Sequence, residues 1–354
     1  MIYSVIMAGG VGSRFWPMSR RARPKHLLPL LNGKPLIEAT IDRVAPISSH
    51  ERVIIVTNEY QQRRITDVLY DLEPDNFLIE PFGRNTAPCI GLAAVKINSI
   101  DPKAVMMVLP ADHIIEDVEE FQRCLRQAVD IASGGDSLLT IGIPPTRPET
   151  GYGYIQREEV QDEPGVYQVK TFAEKPNLET AKRFIKCGDF YWNSGIFIWR
   201  TDLILKQFEE YLPEHFHQLK KLEKHFGGDG ERKNLRRIYK RLPGISIDYG
   251  IMEHARSVKV IEGRFGWGDI GSWEEAYRRS SKDKHQNAAV GDHMFLDSKR
   301  CYVNASRKFV AVVGMEDTII VESGNALLVC KRDNAQDVKR VVEKLERKNL
   351  KRLL

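Results

Sequence analysis

Apolar residues fall along this chain in short unbroken runs separated by amphipathic stretches. IYSVIM (2–7), RVIIVTN (52–58), VMMVLPAD (105–112) and SLLTIGI (137–143) are continuous runs, the pattern of strands buried on both faces. Between them the period changes to three and four. In PLIEATIDRVA (35–45), Leu36, Ile37, Ile41 and Val44 share one face, with Pro35 suited to the first turn. In TAPCIGLAAVKI (86–97), Ile90, Ala94 and Ile97 make the stripe and Thr86 is the candidate cap. In DVEEFQRCLRQAVDIA (117–132) the stripe is Val118, Phe121, Leu125, Ala128 and Ala132. Strand and helix in alternation predict an α/β domain with a mostly parallel sheet flanked by helices. Ligands of such sheets gather beyond the carboxyl ends of the strands, which makes Ala8–Gly12 and Pro110–His113 candidate neighbours.

The middle of the chain is more mixed. GYGYIQ (151–156), VYQVKTFAEKP (166–176), NSGIFIWR (193–200) and SVKVIEG (257–263) read as strands, and helices are expected near 201–212, 214–226 and 231–241. His215 and His217 have a spacing that could bind metal on a strand, but their charged helical surroundings read as a solvated face. After the polar stretch SKDKHQN the texture becomes short strands punctuated by Gly, Asn and Asp. A catalytic domain over 1–284 and a β-rich domain over 285–354 are therefore expected. The last segment reads as a basic amphipathic helix docked on that domain, with Val338, Val341, Val342 and Leu345 as its narrow apolar stripe.

Composition narrows the class only modestly. A net charge of +5 suits anionic small molecules as well as nucleic acid. Five scattered cysteines without CxxC spacing indicate neither a disulfide framework nor a zinc site, so a reducing cytoplasm is expected. The apolar run at 2–8 is too short for a signal-peptide core or a membrane span.

The candidate chemistry starts at the first strand's end. After Gly10 and Gly12 the third position of a dinucleotide fingerprint is Phe15, and no GK[ST] ending makes a P-loop. What remains is a glycine turn whose backbone N–H groups can approach an anion, followed by a basic, proline-bearing loop. Arg14 offers a planar fork for phosphate oxygens, and Lys25, behind Pro24, a point charge. Arg84-Asn85-Thr86 precedes a helix, whose N-terminus suits an anion. Asp112 at a strand end and Asp269 in a glycine-flanked turn suit Mg²⁺, which takes one or two protein carboxylates plus phosphate oxygens. Asn193 can read a hydroxyl as donor or acceptor. Gly151-Tyr152-Gly153 permits close backbone approach. Each of these, alone, is also an ordinary turn, cap or strand-end residue.

Taken in order, the motifs are far more specific. AGGVGSRFWPMSR with PKHLLPL, EPFGRNTAPCIGLAA (80–94), VLPADH (108–113), GYGYI (151–155), FAEKP (172–176), WNSGIF (192–197), SIDYGIME (246–253) and WGDIGSW (267–273) resemble the sugar-nucleotide pyrophosphorylases over roughly residues 1–280. The resemblance is greatest to the guanylyl branch, which joins GTP and mannose 1-phosphate into GDP-mannose and pyrophosphate. It implies the Rossmann-like nucleotide-diphospho-sugar transferase fold with a β-helix-like tail. It implies nucleotide contacts from Ala8, Gly9, Gly10, Gly12, Ser13, Arg14, Lys25, Arg84, Asn85, Thr86, Pro110 and Asp112. It implies sugar-phosphate contacts from Gly151, Tyr152, Gly153, Glu174, Lys175, Asn193 and Gly195. Arg14, Lys25 and Lys175 would be the catalytic cations, and Asp112 and Asp269 the Mg²⁺ pair. FAEKP carries Ala173 where the family usually has Val, on the strand face away from Glu174. A homodimer without nucleic-acid or membrane partners is expected, as is a single activity, since the chain is too short for the added isomerase domain of longer relatives. The competing readings are a sugar nucleotidyltransferase of other base or sugar, a glycosyltransferase, which has no use for a triphosphate loop, and a non-catalytic nucleotide-sugar sensor.

Overall fold

In the computed structural model the opening apolar run is the strand β1 (Ile2–Met7), paired in parallel on both sides. The structure describes residues 1–30, 33–228 and 230–354. They divide into two compact units, Met1–Gly9, Thr40–Gln62 and Tyr70–Gly268 in the first, and Gly10–Ala39, Arg63–Leu69 and Asp269–Leu354 in the second.

The first unit is built on one nine-stranded sheet. Its further strands are β2 (Val53–Asn58), β3 (Phe77–Glu80), β4 (Val105–Pro110), β5 (Leu138–Ile143), β6 (Tyr154–Glu163), β7 (Val166–Ala173), β8 (Phe190–Arg200) and β9 (Val258–Glu262), in the order β3-β2-β1-β4-β8-β5-β9-β7-β6. The half β3-β2-β1-β4 is parallel, as unbroken apolar runs require. The long strand β8 enters antiparallel between β4 and β5 and also pairs with β6, so β5, β9, β7, β6 and β8 close into a ring. Apolar layers cover both faces. The helix Thr86–Asn98 packs Ile90, Ala94 and Ile97 with Val5, Val56 and Val108. The helix Val118–Gly134 packs Phe121, Leu125, Ala128 and Ala132 with Leu109, Leu139 and Ile141.

Several local expectations need correcting. Asn85, not Thr86, caps its helix, its Oδ1 accepting from Thr86 N at 2.9 Å. Val118 lies outside the buried stripe because Asp117 caps that helix and accepts from Glu120 N at 3.0 Å. Residues 151–153 form a bend before β6 rather than strand. His215 is buried, its Nε2 against the Pro243 carbonyl at 2.9 Å, while His217 is the solvated one.

In the second unit, β10 (Ala288–Val290), β12 (Tyr302–Ala305) and β14 (Thr318–Ser323) pair in parallel, and so do β11 (His293–Leu296) and β13 (Val310–Val313). The chain feeds the two sheets alternately, coiling around Cys301, Val303, Ala305 and Val312, and β15 (Ala326–Lys331) ends the coil antiparallel to β14. The helix Val338–Arg347 packs on the turn Ser13–Phe15 and buries Val338. No helix among the described residues is long and apolar enough to cross a membrane.

Candidate active site

The basic loop of the second unit folds around one close approach. Gly12 has φ 73°, and a Cβ there would lie 2.4 Å from the Cβ of Lys25. The Lys25 backbone N donates to Val11 O at 3.1 Å. Its Nζ donates to the Asp269 carbonyl at 2.9 Å and lies 3.7 Å from the Asp269 carboxylate. Lys25 is only 5% exposed, so this cation is held where water barely screens it. Phe15 lies beside it, 5.7 Å from Nζ to ring centroid, and packs on Trp273 at 4.8 Å. Trp273 Nε1 donates to the Trp16 carbonyl at 3.0 Å. Gly10 and Arg14 are exposed, while Gly12 and Ser13 are half-buried. Arg14 makes no hydrogen bond or ion pair with any described residue. The neighbouring arginines are committed to scaffolding. Arg20 donates to the carbonyls of Ser323 (3.0 Å) and Arg352 (3.3 Å), Arg21 pairs with Glu346 at 2.9 Å, and Trp16 Nε1 donates to Leu353 O at 2.8 Å.

The first unit gathers a second group of the predicted residues. Asn193 N donates to Gly153 O at 2.8 Å, and a Cβ on Gly153 would come within 2.6 Å of Glu174 Oε2. Glu174 pairs with Lys175, whose φ of 43° is a left-handed conformation rare for a side-chain-bearing residue. Gly195 N donates to Asn193 Oδ1 at 3.0 Å, and Gly195 sits against Pro110 at the end of β4. Tyr152 is buried edge-on to Trp192 and Trp267. Gly151 is exposed, its N donating to Glu149 Oε1 at 3.1 Å. Asp112 is half-buried just past β4; the helix that follows is capped by Asp117, so Asp112 is not that cap. Its neighbour His113 is fixed by Trp267 Nε1 at 3.2 Å and by Arg43, which donates to the His113 carbonyl at 3.0 Å. Ala8 and Gly9 lie at the end of β1, with Ala8 N donating to Val56 O at 2.9 Å. Arg84 lies over the Phe82 ring and donates to Tyr239 O at 3.3 Å, and Thr86 Oγ1 accepts from Ile247 N at 2.8 Å.

Residues 3–286 match the family described as nucleotidyl transferase. The chain belongs to that family. Residues 291–345 match the mannose-phosphate isomerase/GMP-like β-helix domain. A mannose-1-phosphate guanylyltransferase of Salmonella typhimurium is 37% identical, over 97% of this chain and 72% of its own length. One from Escherichia coli is 38% identical, over 98% of this chain and 74% of its own. A crystal structure from Thermus thermophilus, described as a mannose-1-phosphate geranyltransferase, superposes with TM-score 0.88 at 37% identity, over 98% of this chain and 99% of that one. Mannose-1-phosphate guanylyltransferases form GDP-mannose from GTP and mannose 1-phosphate, and nucleotidyl transferases generally depend on a metal ion.

Two carboxylates of this nucleotidyl transferase escaped the sequence reading. Asp248 accepts from Asn193 Nδ2 at 2.7 Å. Glu80 ends β3 beside the glycine turn; a Cβ on Gly9 would stand 3.8 Å from its Oε2. It is 5% exposed, and its Oε1 has no hydrogen-bond partner among the described residues. Burial pushes its carboxyl up to about 7, against a smaller opposing pull from Tyr239. A raised carboxyl keeps its proton in the fold, so stability is full below the unfolded value near 4.5 and declines as pH rises toward about 7. Glu80→Gln cannot ionise. It is expected to match the parent's melting temperature at pH 4.5 and exceed it at pH 8.5, by up to about 3 kcal/mol of stability. An unchanged difference between the two pH values would place the ionisation elsewhere.

Proposed function

We propose that this chain makes GDP-mannose by direct in-line transfer, with Ala8–Ser13, Arg14 and Lys25 serving the triphosphate and the Gly153–Glu174–Lys175–Asn193 group serving the sugar phosphate. The observation that carries the reading is Lys25, a desolvated cation fixed against a glycine turn and the Asp269 backbone. A phosphate oxygen of mannose 1-phosphate attacks the α-phosphorus of GTP. The new O–P bond forms as the bond to the β-phosphate oxygen breaks, and pyrophosphate leaves with the electron pair. The nucleophile is already an anion, so no general base is required. Rate then comes from positioning and from charge neutralisation.

Lys25 and Arg14 hold the departing β,γ-phosphates and the charge that grows there. Lys175 holds the attacking phosphate and offsets its repulsion from the triphosphate. Glu174 accepts hydrogen bonds from sugar hydroxyls, beside Gly151, Tyr152 and Gly195. Arg84, Asn85 and Thr86 flank the base with Pro110. Glu80, in its ionised form, is the acceptor we assign to the guanine N1–H and exocyclic amine, a donor pair that adenine lacks, so bound guanine would draw the proton off this carboxyl; Glu80→Gln should therefore erode the preference for GTP over ATP in competition assays. Asp112 and Asp269 are hard carboxylate donors of the kind Mg²⁺ takes. The Asp269 side chain is more than a third exposed, and its backbone carbonyl anchors Lys25. Mg²⁺ bound by carboxylates of this kind would neutralise phosphate charge.

The remaining partner we infer is a second copy of the chain. Met294 and Leu296 of β11 and Val313 of β13 are all more than half exposed, an apolar strip that a homodimer would cover. A sedimentation mass near 40.5 kDa in place of twice that value would refute the dimer. The activity itself is tested by Mg²⁺-dependent release of pyrophosphate from GTP in the presence of mannose 1-phosphate.

A further inference from the structure

Asn193 was read from sequence as the amide that reads a sugar hydroxyl, and half of its hydrogen-bonding capacity is already spent within the protein. Its Oδ1 accepts from Gly195 N at 3.0 Å, and its Nδ2 donates to Asp248 Oδ1 at 2.7 Å. The amide is thereby a bracket, and what it brackets is a carboxylate. Asp248 opens a π-helical turn, Asp248–Met252, and the preceding residue is fixed from the other side by Ile247 N donating to Thr86 Oγ1 at 2.8 Å. Hydrogen bonds thus hold both the Asp248 carboxylate and the backbone just before it. Among the described residues no lysine or arginine forms an ion pair with it, since the nearby Lys175 pairs with Glu174.

We infer that Asp248 is a specificity-determining residue of the sugar pocket, accepting hydrogen bonds from hydroxyls of the hexose, with Asn193 as its positioning residue. The inference rests on the reading of the Glu174–Lys175 group as the sugar-phosphate site. Asp248 is half-buried; burial holds its carboxyl above the usual range, the Asn193 bond opposes the rise, and the negative charge of Glu174 adds a smaller push upward, while burial raises Glu253 likewise. Carboxylates crowded together with one lysine are costly unless donors reach them. A hexose supplies neutral donors in a row, while its phosphate takes the lysine. The pocket would then have polarity: carboxylates for the hydroxyl face and Lys175 for the phosphate, so the sugar phosphate can enter in one orientation only. A site that hydrogen-bonds a hydroxyl rejects analogues lacking it far more strongly than a site that merely fits them.

Asp248→Asn is the informative variant, because its amide oxygen can still accept from Asn193 while the second acceptor oxygen is lost. Its KM for mannose 1-phosphate should rise about tenfold to a hundredfold, the usual loss for a hydrogen bond to a charged group, with KM for GTP within about twofold. Deoxy analogues of mannose 1-phosphate, lacking one hydroxyl at a time, supply a readout that a structural role would not move. Wild type should lose kcat/KM on removal of the hydroxyl that Asp248 meets, and Asp248→Asn should lose nothing further on that analogue. Equal sensitivity of both proteins to every deoxy analogue would overturn the inference, even if the variant were less stable. Glu174→Gln separates the two levels. If it raises KM for mannose 1-phosphate while Asp248→Asn does not, the pocket stands and the Asp248 assignment falls. If neither variant does, the sugar-site reading is wrong and the inference goes with it.

Discussion

Lys25→Met is expected to lower kcat about 10²–10³-fold while the protein stays folded, the usual cost of losing one preorganised transition-state contact. Methionine keeps nearly the length of the lysine stem, so the packing of its Cβ, Cγ and Cδ over Gly12 survives. The charge is removed, and with it the bond to the Asp269 carbonyl and the approach to the Asp269 carboxylate. The charge matters because it is already desolvated and fixed, at 5% exposure, before any substrate arrives. A cation that needs no reorganisation during reaction stabilises growing negative charge more effectively than a solvated one. An interaction made chiefly in the transition state lowers kcat and kcat/KM together, whereas one that only holds GTP would raise KM alone. Steady-state kinetics with GTP varied distinguishes the two. A variant with wild-type kcat would reduce Lys25 to a structural tie between the loop and residue 269.

Gly12→Ala should be nearly as damaging, through geometry alone. At φ 73° any side chain costs about 1–2 kcal/mol. The added methyl would also stand 2.4 Å from Lys25 Cβ. Neither atom is the end of a flexible side chain, so the loop or residue 25 must move bodily. Displacement of a positioning group by about 1 Å can cost on the order of 10²-fold in rate. The expected signature is a fall of that size in kcat/KM for GTP, with KM for mannose 1-phosphate within about twofold. An equal rise in both KM values, or none, would contradict a role confined to the triphosphate loop.

The parallel half of the sheet was legible because strands buried on both faces leave unbroken apolar runs, as Ile2–Met7 and Val53–Asn58 do. The ring formed by β5, β9, β7, β6 and β8 was not, because it depends on one strand, Phe190–Arg200, pairing with three partners that no local pattern announces. Within the candidate site, motif order located the glycine turn and the FAEKP and WNSG segments, which carry their chemistry locally. Asp248 stayed hidden for the opposite reason. It stood inside a recognised motif, SIDYGIME, but its partner is Asn193, and nothing in either segment says that the amide serves the carboxylate. The basic loop taught the same lesson in reverse. Arg14, Arg20 and Arg21 look alike in sequence, yet Arg20 and Arg21 are tied to residues 323–352 and Arg14 is not.

The central claim is nucleotidyl transfer from GTP to mannose 1-phosphate. It is tested most directly by pyrophosphate release with Mg²⁺, crossing GTP, ATP, UTP and dTTP with mannose 1-phosphate and glucose 1-phosphate. Release strongest with GTP and mannose 1-phosphate, and abolished by chelation of the metal, is the expected result. Release strongest with another pair would contradict the specificity and keep the chemistry. No release with any pair, at any divalent metal tried, would contradict the claim itself and leave a protein that binds nucleotide sugars without making them.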